Sequence, residues 1–297
     1  MRATLYYRGS LSSCNYDCPY CPFSKNKDNA ETLAKDRTQL ARFMDWVREQ
    51  EAGGNRLSVF FNPYGEGLVH RWYREAMTEL SHMAHIDKVA IQTNLSVKLD
   101  WTERLNPRKA AFWATYHPGE TSEAAFLKQC MFLYGKNIPF SVGSVGVRSA
   151  FAAINSLRRK LPEDVYLWVN AFKDAKNYYS EADKEQLRLI DPHFDLNVND
   201  YDSYGKPCET GHSVFYVQGN GLVKRCYKDR TVIGNLYRSG LEGLARQRPC
   251  RLACCDCYIG YIHMPELELK SVYGESMLER IAKPADKGSG MRQRMKI

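Results

Sequence analysis

The sequence lacks any apolar run long enough to cross a membrane, which excludes a helical span. No secretory leader is expected from its start, because Arg8 interrupts Met1-Arg2-Ala3-Thr4-Leu5-Tyr6-Tyr7 and no long apolar region follows. Together these absences predict a cytoplasmic protein. There is no acidic excess: the formal net charge is +8. Half of that excess sits in residues 283–297, where Lys283, Lys287, Arg292, Arg294 and Lys296 face only Asp286. This segment reads as a flexible, solvated basic tail, and the rest is too mildly basic to predict a nucleic-acid partner. A disordered composition is absent too, at 44% hydrophobic and 26% charged residues. A chain of 297 residues can hold one large α/β domain and a small appendage.

Cysteine is what the chain does have. In a reducing compartment ten cysteines point to metal rather than to disulfides. Nine fall into two groups: Cys14, Cys18 and Cys21, then Cys208, Cys226, Cys250, Cys254, Cys255 and Cys257. Cys130 stands apart with Leu127, Met131 and Tyr134 at helical spacing, and reads as helix core. The first group has the spacing C-x3-C-x2-C, with Tyr20 just before the last cysteine. Structural zinc wants four ligands, and an iron–sulfur cube normally takes four cysteines. Three ligands therefore suggest that one iron is left open for another molecule. A zinc knuckle is the alternative for the motif by itself.

This motif resembles the signature loop of the radical S-adenosylmethionine (radical SAM) enzymes. The resemblance implies that Cys14, Cys18 and Cys21 hold a 4Fe–4S cluster whose open iron is chelated by S-adenosylmethionine. An electron from the cluster then releases a 5′-deoxyadenosyl radical. The cofactors carry the difficult chemistry and the protein orients them.

Strand and helix patterns alternate through the first two thirds. Strands are expected at 3–7, 56–61, 88–92, 110–116, 140–147 and 165–169. Helices are expected at 38–51, 68–83, 122–134, 150–159 and 180–190, the last opened by a capping box at Ser180 and Asp183. The segment between strands three and four is weakly helical at best. This rhythm predicts a parallel α/β architecture, and periodicity alone does not separate a barrel from an open doubly wound sheet. The resemblance implies a partial (β/α)6 barrel over residues 1–191.

Ligands of parallel α/β folds sit on the loops that leave the C-terminal ends of the strands. The loop after strand two, Asn62-Pro63-Tyr64-Gly65-Glu66-Gly67, resembles the family's glycine–glutamate motif. This implies that Gly65 and Glu66 hold the methionine amino group of the cofactor. Thr93 and Asn94 follow strand three, and His117 follows strand four. With Tyr20 they complete the expected cofactor-binding set. The stretch 141–147 lacks the fuller glycine pattern of many relatives.

Beyond residue 191 the chain turns polar and turn-rich, with no helical period over 197–205. A β-hairpin is expected from 213–217 and 222–224. Cys208, Cys226 and the run Cys250-Arg251-Leu252-Ala253-Cys254-Cys255-Asp256-Cys257 resemble the auxiliary-cluster module called SPASM or, shortened, Twitch. The later cysteines that complete a second auxiliary cluster are absent. Residues 192–282 are therefore expected to hold one auxiliary iron–sulfur cluster, with Cys208 and Cys226 as its surest ligands and two more among Cys250, Cys254, Cys255 and Cys257. Tetrahedral zinc is the alternative there.

The layout resembles, over nearly its full length, a bacterial radical SAM group of unassigned substrate. It implies reductive cleavage of S-adenosylmethionine and hydrogen abstraction from a peptide or small molecule, with an electron donor such as flavodoxin or ferredoxin. The rival readings are transfer of the aminocarboxypropyl group to a soft nucleophile, and a non-catalytic metal-binding protein.

Overall fold

A computed structural model describes residues 1–23, 26–173 and 175–283, so the basic tail apart from Lys283 lies outside the described residues. Six strands, β1 (Arg2–Arg8), β2 (Arg56–Phe61), β3 (Ile86–Thr93), β4 (Ala110–Tyr116), β5 (Phe140–Val145) and β6 (Leu167–Asn170), lie side by side in chain order. Every neighbouring pair is parallel. The connections carry α1 (Ala30–Glu49), α2 (Arg71–His82), α3 (Glu123–Gly135) and α4 (Phe151–Lys160), and α5 (Glu181–Ile190) and α6 (Phe194–Val198) follow β6. Between β3 and β4 there is only a short 3-10 turn, Asp100–Arg104, where the sequence predicted weak helicity. The fold class is the one expected.

The sheet continues past β1. After β7 (Tyr201–Asp202) comes β8 (Val214–Gln218), which pairs in parallel with the free side of β1. The strands β9 (Leu222–Lys224) and β10 (Val232–Asn235) then extend it antiparallel, for nine strands in all. The hairpin expected around Gln218–Gly221 is therefore part of the central sheet. Next come α7 (Leu236–Leu244), β11 (Cys254–Cys255), α8 (Tyr258–Tyr261) and α9 (Lys270–Tyr273), with β11 pairing antiparallel to β7 in a separate ribbon.

Two expectations shift. α1 starts at Ala30 rather than near residue 38, opened by Asn29, whose side-chain oxygen accepts from the Thr32 amide. Its early turns look polar because their inward residue is the fully buried Asp36. The polar stretch 197–205 contains the end of α6, because Phe194 and Asn197 pack inward there.

Both faces of the sheet are covered, which explains why β4 is buried at every position. Leu5, Tyr7, Val59, Phe61, Val89, Ile91, Phe112 and Val169 pack outward against the helices. Alternate residues Tyr6, Phe60, Ala90, Ala111, Trp113, Trp168 and Tyr216 face the other way, onto the C-terminal segment that includes Tyr258, Tyr261 and Tyr273. Arg280 lies over the Tyr258 ring at 3.6 Å and the Trp168 ring at 4.1 Å. Glu279 pairs with Lys88 near the start of β3, at 2.8 Å, and its carbonyl accepts from Ser141 at the start of β5. The segment thus stoppers the N-terminal end of the half-barrel, and the loops at the opposite end carry the candidate site.

Candidate functional site

The loop of Cys14, Cys18 and Cys21 follows β1 and is tied down from several sides. Asp28 accepts from the amides of Ser12 and Ser13 at 2.7 and 2.8 Å. Buried Asp36 accepts from the Leu11 amide and from Trp72 Nε1, both at 2.9 Å. The Asn15 side-chain Nδ2 donates to Ser96 Oγ, and Glu120 accepts from the Asp17 amide. The sequence reading missed Asp28, Asp36, Asn15 and Glu120.

Cys18 is 5% exposed, and the Cys21 amide donates to the Cys18 carbonyl at 3.0 Å, closing a tight turn. Burial pushes the Cys18 thiol up to about 12, and the Cys14 thiol up as well. A bare thiolate is costly here, so a cation is needed to keep one. Cys14 Sγ accepts from the Tyr16 amide at 3.4 Å and from Asn94 Nδ2 at 3.7 Å. Such N–H donors to sulfur suit an iron–sulfur ligand and tune its potential. Among the described residues, no three His, Cys, Asp or Glu side chains converge tightly enough for a single metal ion. A cube makes a different demand, because each thiolate takes its own iron at a separate corner.

Gly65 and Glu66 lock the loop after β2 onto the cysteine loop. The Glu66 amide donates to the Ser13 carbonyl at 3.2 Å. The Glu66 carboxylate is buried, which raises its pKa, and three protein donors reach it: Leu68 N at 3.0 Å, Thr93 Oγ1 at 2.8 Å and Asn94 N at 2.7 Å. Two of these share Oε1, and Oε2 takes one. A carboxylate has about four acceptor positions, so one remains for an ammonium group. Glu66 is thus first a brace joining the β2 and β3 loops. Glu66→Gln would turn an NH2 group toward the Asn94 amide or force other donors apart. It should cost about 1–3 kcal/mol, read as a Tm several degrees lower by circular dichroism.

Tyr20 and His117 form a second brace. The Tyr20 hydroxyl pairs with His117 Nδ1 at 2.8 Å, their rings stack, and Tyr16 meets the same imidazole edge-on. Burial lowers the His117 pKa to about 4, so the ring is neutral at neutral pH. All the expected residues of this end, Cys14, Cys18, Tyr20, Cys21, Gly65, Glu66, Thr93, Asn94 and His117, are carried on the C-terminal ends of β1 to β4 or the loops that leave them.

The C-terminal cysteines divide. Cys208, Cys226, Cys250 and Cys255 line one cavity together with Thr210, Arg225 and Met264. Cys208 Sγ lies 3.2 Å from Thr210 Oγ1, Cys226 Sγ accepts from the Asp229 amide at 3.1 Å, and Cys250 Sγ lies 3.6 Å from Ser203 Oγ. Burial raises the Cys226 thiol to about 11 and the Cys255 thiol to about 12. Cys254 is exposed on β11, and Cys257 lies outside the cavity lining.

No protein-family model matches the sequence, and no curated protein does. Solved structures do match. Native anSMEcpe with bound AdoMet (S-adenosylmethionine) and the Cp18Cys peptide superposes with a TM-score of 0.52 and 17% identity, over 82% of this chain and 80% of that one. Native anSMEcpe with bound AdoMet alone gives 0.53 and 15% identity, over 81% and 80%. BtrN in complex with AdoMet and 2-DOIA aligns at a TM-score of 0.38 with 14% identity, over 81% and 80%, too loosely to argue from. This chain therefore shares its fold with anSMEcpe.

Proposed function

We propose that the protein is a radical SAM enzyme. The observation that carries this reading is the cysteine loop itself: three cysteines at C-x3-C-x2-C spacing, fastened by Glu66, Asn94 and His117 to the ends of β2, β3 and β4. The shared fold supports it, since anSMEcpe binds AdoMet. A 4Fe–4S cluster bound here would supply the electron that splits S-adenosylmethionine into methionine and a 5′-deoxyadenosyl radical. Cys14, Cys18 and Cys21 would be its ligands. Asn94 and the Tyr16 amide steady the Cys14 sulfur. Gly65 brings its backbone against Ser13, and Glu66 keeps one acceptor position for the cofactor's amino group. Neutral His117 and Tyr20 offer an uncharged, stacked surface where a cation would repel the sulfonium. The chemistry is hydrogen abstraction from a peptide or small molecule, with an external one-electron donor such as flavodoxin or ferredoxin. The test is anaerobic incubation of the reconstituted protein with S-adenosylmethionine and dithionite. 5′-Deoxyadenosine is the expected product, and methylthioadenosine or no turnover would refute the reading.

A single auxiliary iron–sulfur cluster in residues 192–282 belongs to the same proposal. The shared cavity favours Cys208, Cys226, Cys250 and Cys255 as its ligands over the exposed Cys254. Arg225, 4% exposed, and Asp229 line the same cavity, so a cation and a carboxylate both stand near the thiols. Cys255→Ser should lose about half of the bound iron, and Cys254→Ser should lose none, by iron and sulfide assay. Equal iron loss in both variants, or zinc in place of iron, would overturn the assignment.

A further inference from the structure

The inner face of β1, β8 and β9 carries a second cavity, lined by Arg8, Tyr64, Lys224, Cys226, Tyr227 and Arg230 among others. The strand register produces this grouping. Arg8 lies beside Gln218 and Tyr6 beside Tyr216 in the parallel β1–β8 pair, and Lys224 stands opposite Tyr216 across the hairpin. Residues two apart share a face, so one side of this sheet edge collects cations and tyrosines. The cavity lining includes three cationic side chains and no Asp or Glu. A neighbouring cation is treated differently: Lys228 pairs with Asp256 at 2.9 Å. Among the described residues, Arg8, Lys224 and Arg230 have no such carboxylate partner.

Arg8 is held as a prepared fork. Its Nε donates to the Asn62 carbonyl at 2.8 Å, and its guanidinium lies over the rings of Tyr64 at 4.2 Å and Tyr227 at 4.8 Å. Clamping the plane this way leaves terminal N–H groups of the guanidinium edge for a planar or tetrahedral oxyanion. The cavity also adjoins both cysteine groups. Phe23, two residues past Cys21, stacks on Tyr64 at 4.9 Å, and Cys226 lines this cavity as well as the cysteine cavity.

We propose that this cavity binds the oxyanion of the substrate, a phosphate or carboxylate group, with Arg8 as the bidentate anchor and Lys224 and Arg230 as supporting charges. The proposal rests on the radical SAM reading only for calling the ligand a substrate. The anion site itself stands on the charge and geometry of the cavity.

The test is calorimetric titration of the full, reconstituted chain at low ionic strength with phenyl phosphate, benzoate and benzyl alcohol. Phenyl phosphate or benzoate should bind once per chain with a Kd at or below about 1 mM, and the stronger of the two identifies the oxyanion. Benzyl alcohol should bind at least tenfold more weakly. Arg8→Lys keeps the charge but removes the fork, and Lys224→Gln leaves the bond to Asn62 in place. Each should weaken the anion roughly tenfold, by analogy with loss of one charge-assisted contact. Should Arg8→Lys fail to fold, Lys224→Gln decides alone. Absence of anion binding, equal binding of benzyl alcohol, or unchanged affinity in the folded variants overturns the proposal. 5′-Deoxyadenosine formation measured on the same sample separates the two readings. Cofactor cleavage without anion binding sinks the substrate anchor alone. Anion binding without cleavage sinks the radical SAM reading and leaves the anion site.

Discussion

A Cys18→Ala chain is expected to form no 5′-deoxyadenosine while keeping roughly half of its iron. Cys18 is the most buried of the three cysteines in the first loop, at 5% exposure, and the turn formed with Cys21 sets the spacing of both thiols. A cluster that already has only three protein ligands has none to spare. Alanine there removes a ligand, and no described contact brings Cys130 or the C-terminal thiols to replace it. The loop itself should survive, because Asp28, Asp36 and Glu66 hold its backbone through bonds that do not involve Cys18. The measurements are product analysis after reduction with dithionite and an iron and sulfide assay. Cleavage at the wild-type rate would contradict the assignment of this loop as the catalytic centre. Loss of all iron would place the C-terminal cysteines in the same cluster or in none.

Gly65→Ala should be nearly as damaging, though it removes no ligand. A Cβ at position 65 would lie 1.8 Å from the Ser13 carbonyl oxygen and 2.5 Å from its carbon. Both are backbone atoms, and Ser13 is pinned by Asp28, so neither side can yield without moving Cys14. A misplacement of about 1 Å at a reacting centre can cost on the order of a hundredfold in rate. We expect 5′-deoxyadenosine formation to fall by about that factor or more, with weakened binding of the first cluster. Gly135→Ala is the control, since nothing lies within 4 Å of its added methyl group and it closes a helix. Its activity should be unchanged. A Gly65→Ala enzyme with normal rate and iron content would mean that the two loops are not in the contact described.

The centre at the start of the chain was legible because its ligands are close in sequence. C-x3-C-x2-C is a local pattern that one turn can present, and Glu66 and Asn94 fall where strand ends put them in any parallel sheet. Asp28 and Asp36 were not legible. They act on amides 16 and 25 residues away, and Asp36, inside an amphipathic helix, looks like a solvent-facing residue until its partners are known. Glu66 was read as a cofactor ligand from its motif, whereas its three protein donors come from two separate loops that only the folded sheet brings together.

By itself the sequence determined the parallel β/α succession, the three-cysteine loop and the presence of a second cysteine-rich region, because each is written in short-range periodicity or spacing. Only the tertiary structure decided how that second region is used. It laid β8 against β1, gathered Cys208, Cys226, Cys250 and Cys255 around one cavity while leaving Cys254 outside, and put Arg8 beside Lys224 across more than two hundred residues of chain. Those groupings depend on strand register and on the loops that the paired strands bring together. A single residue of slip between β1 and β8 would turn Arg8 and Tyr216 to opposite faces, and no local pattern in the chain specifies the partner strand.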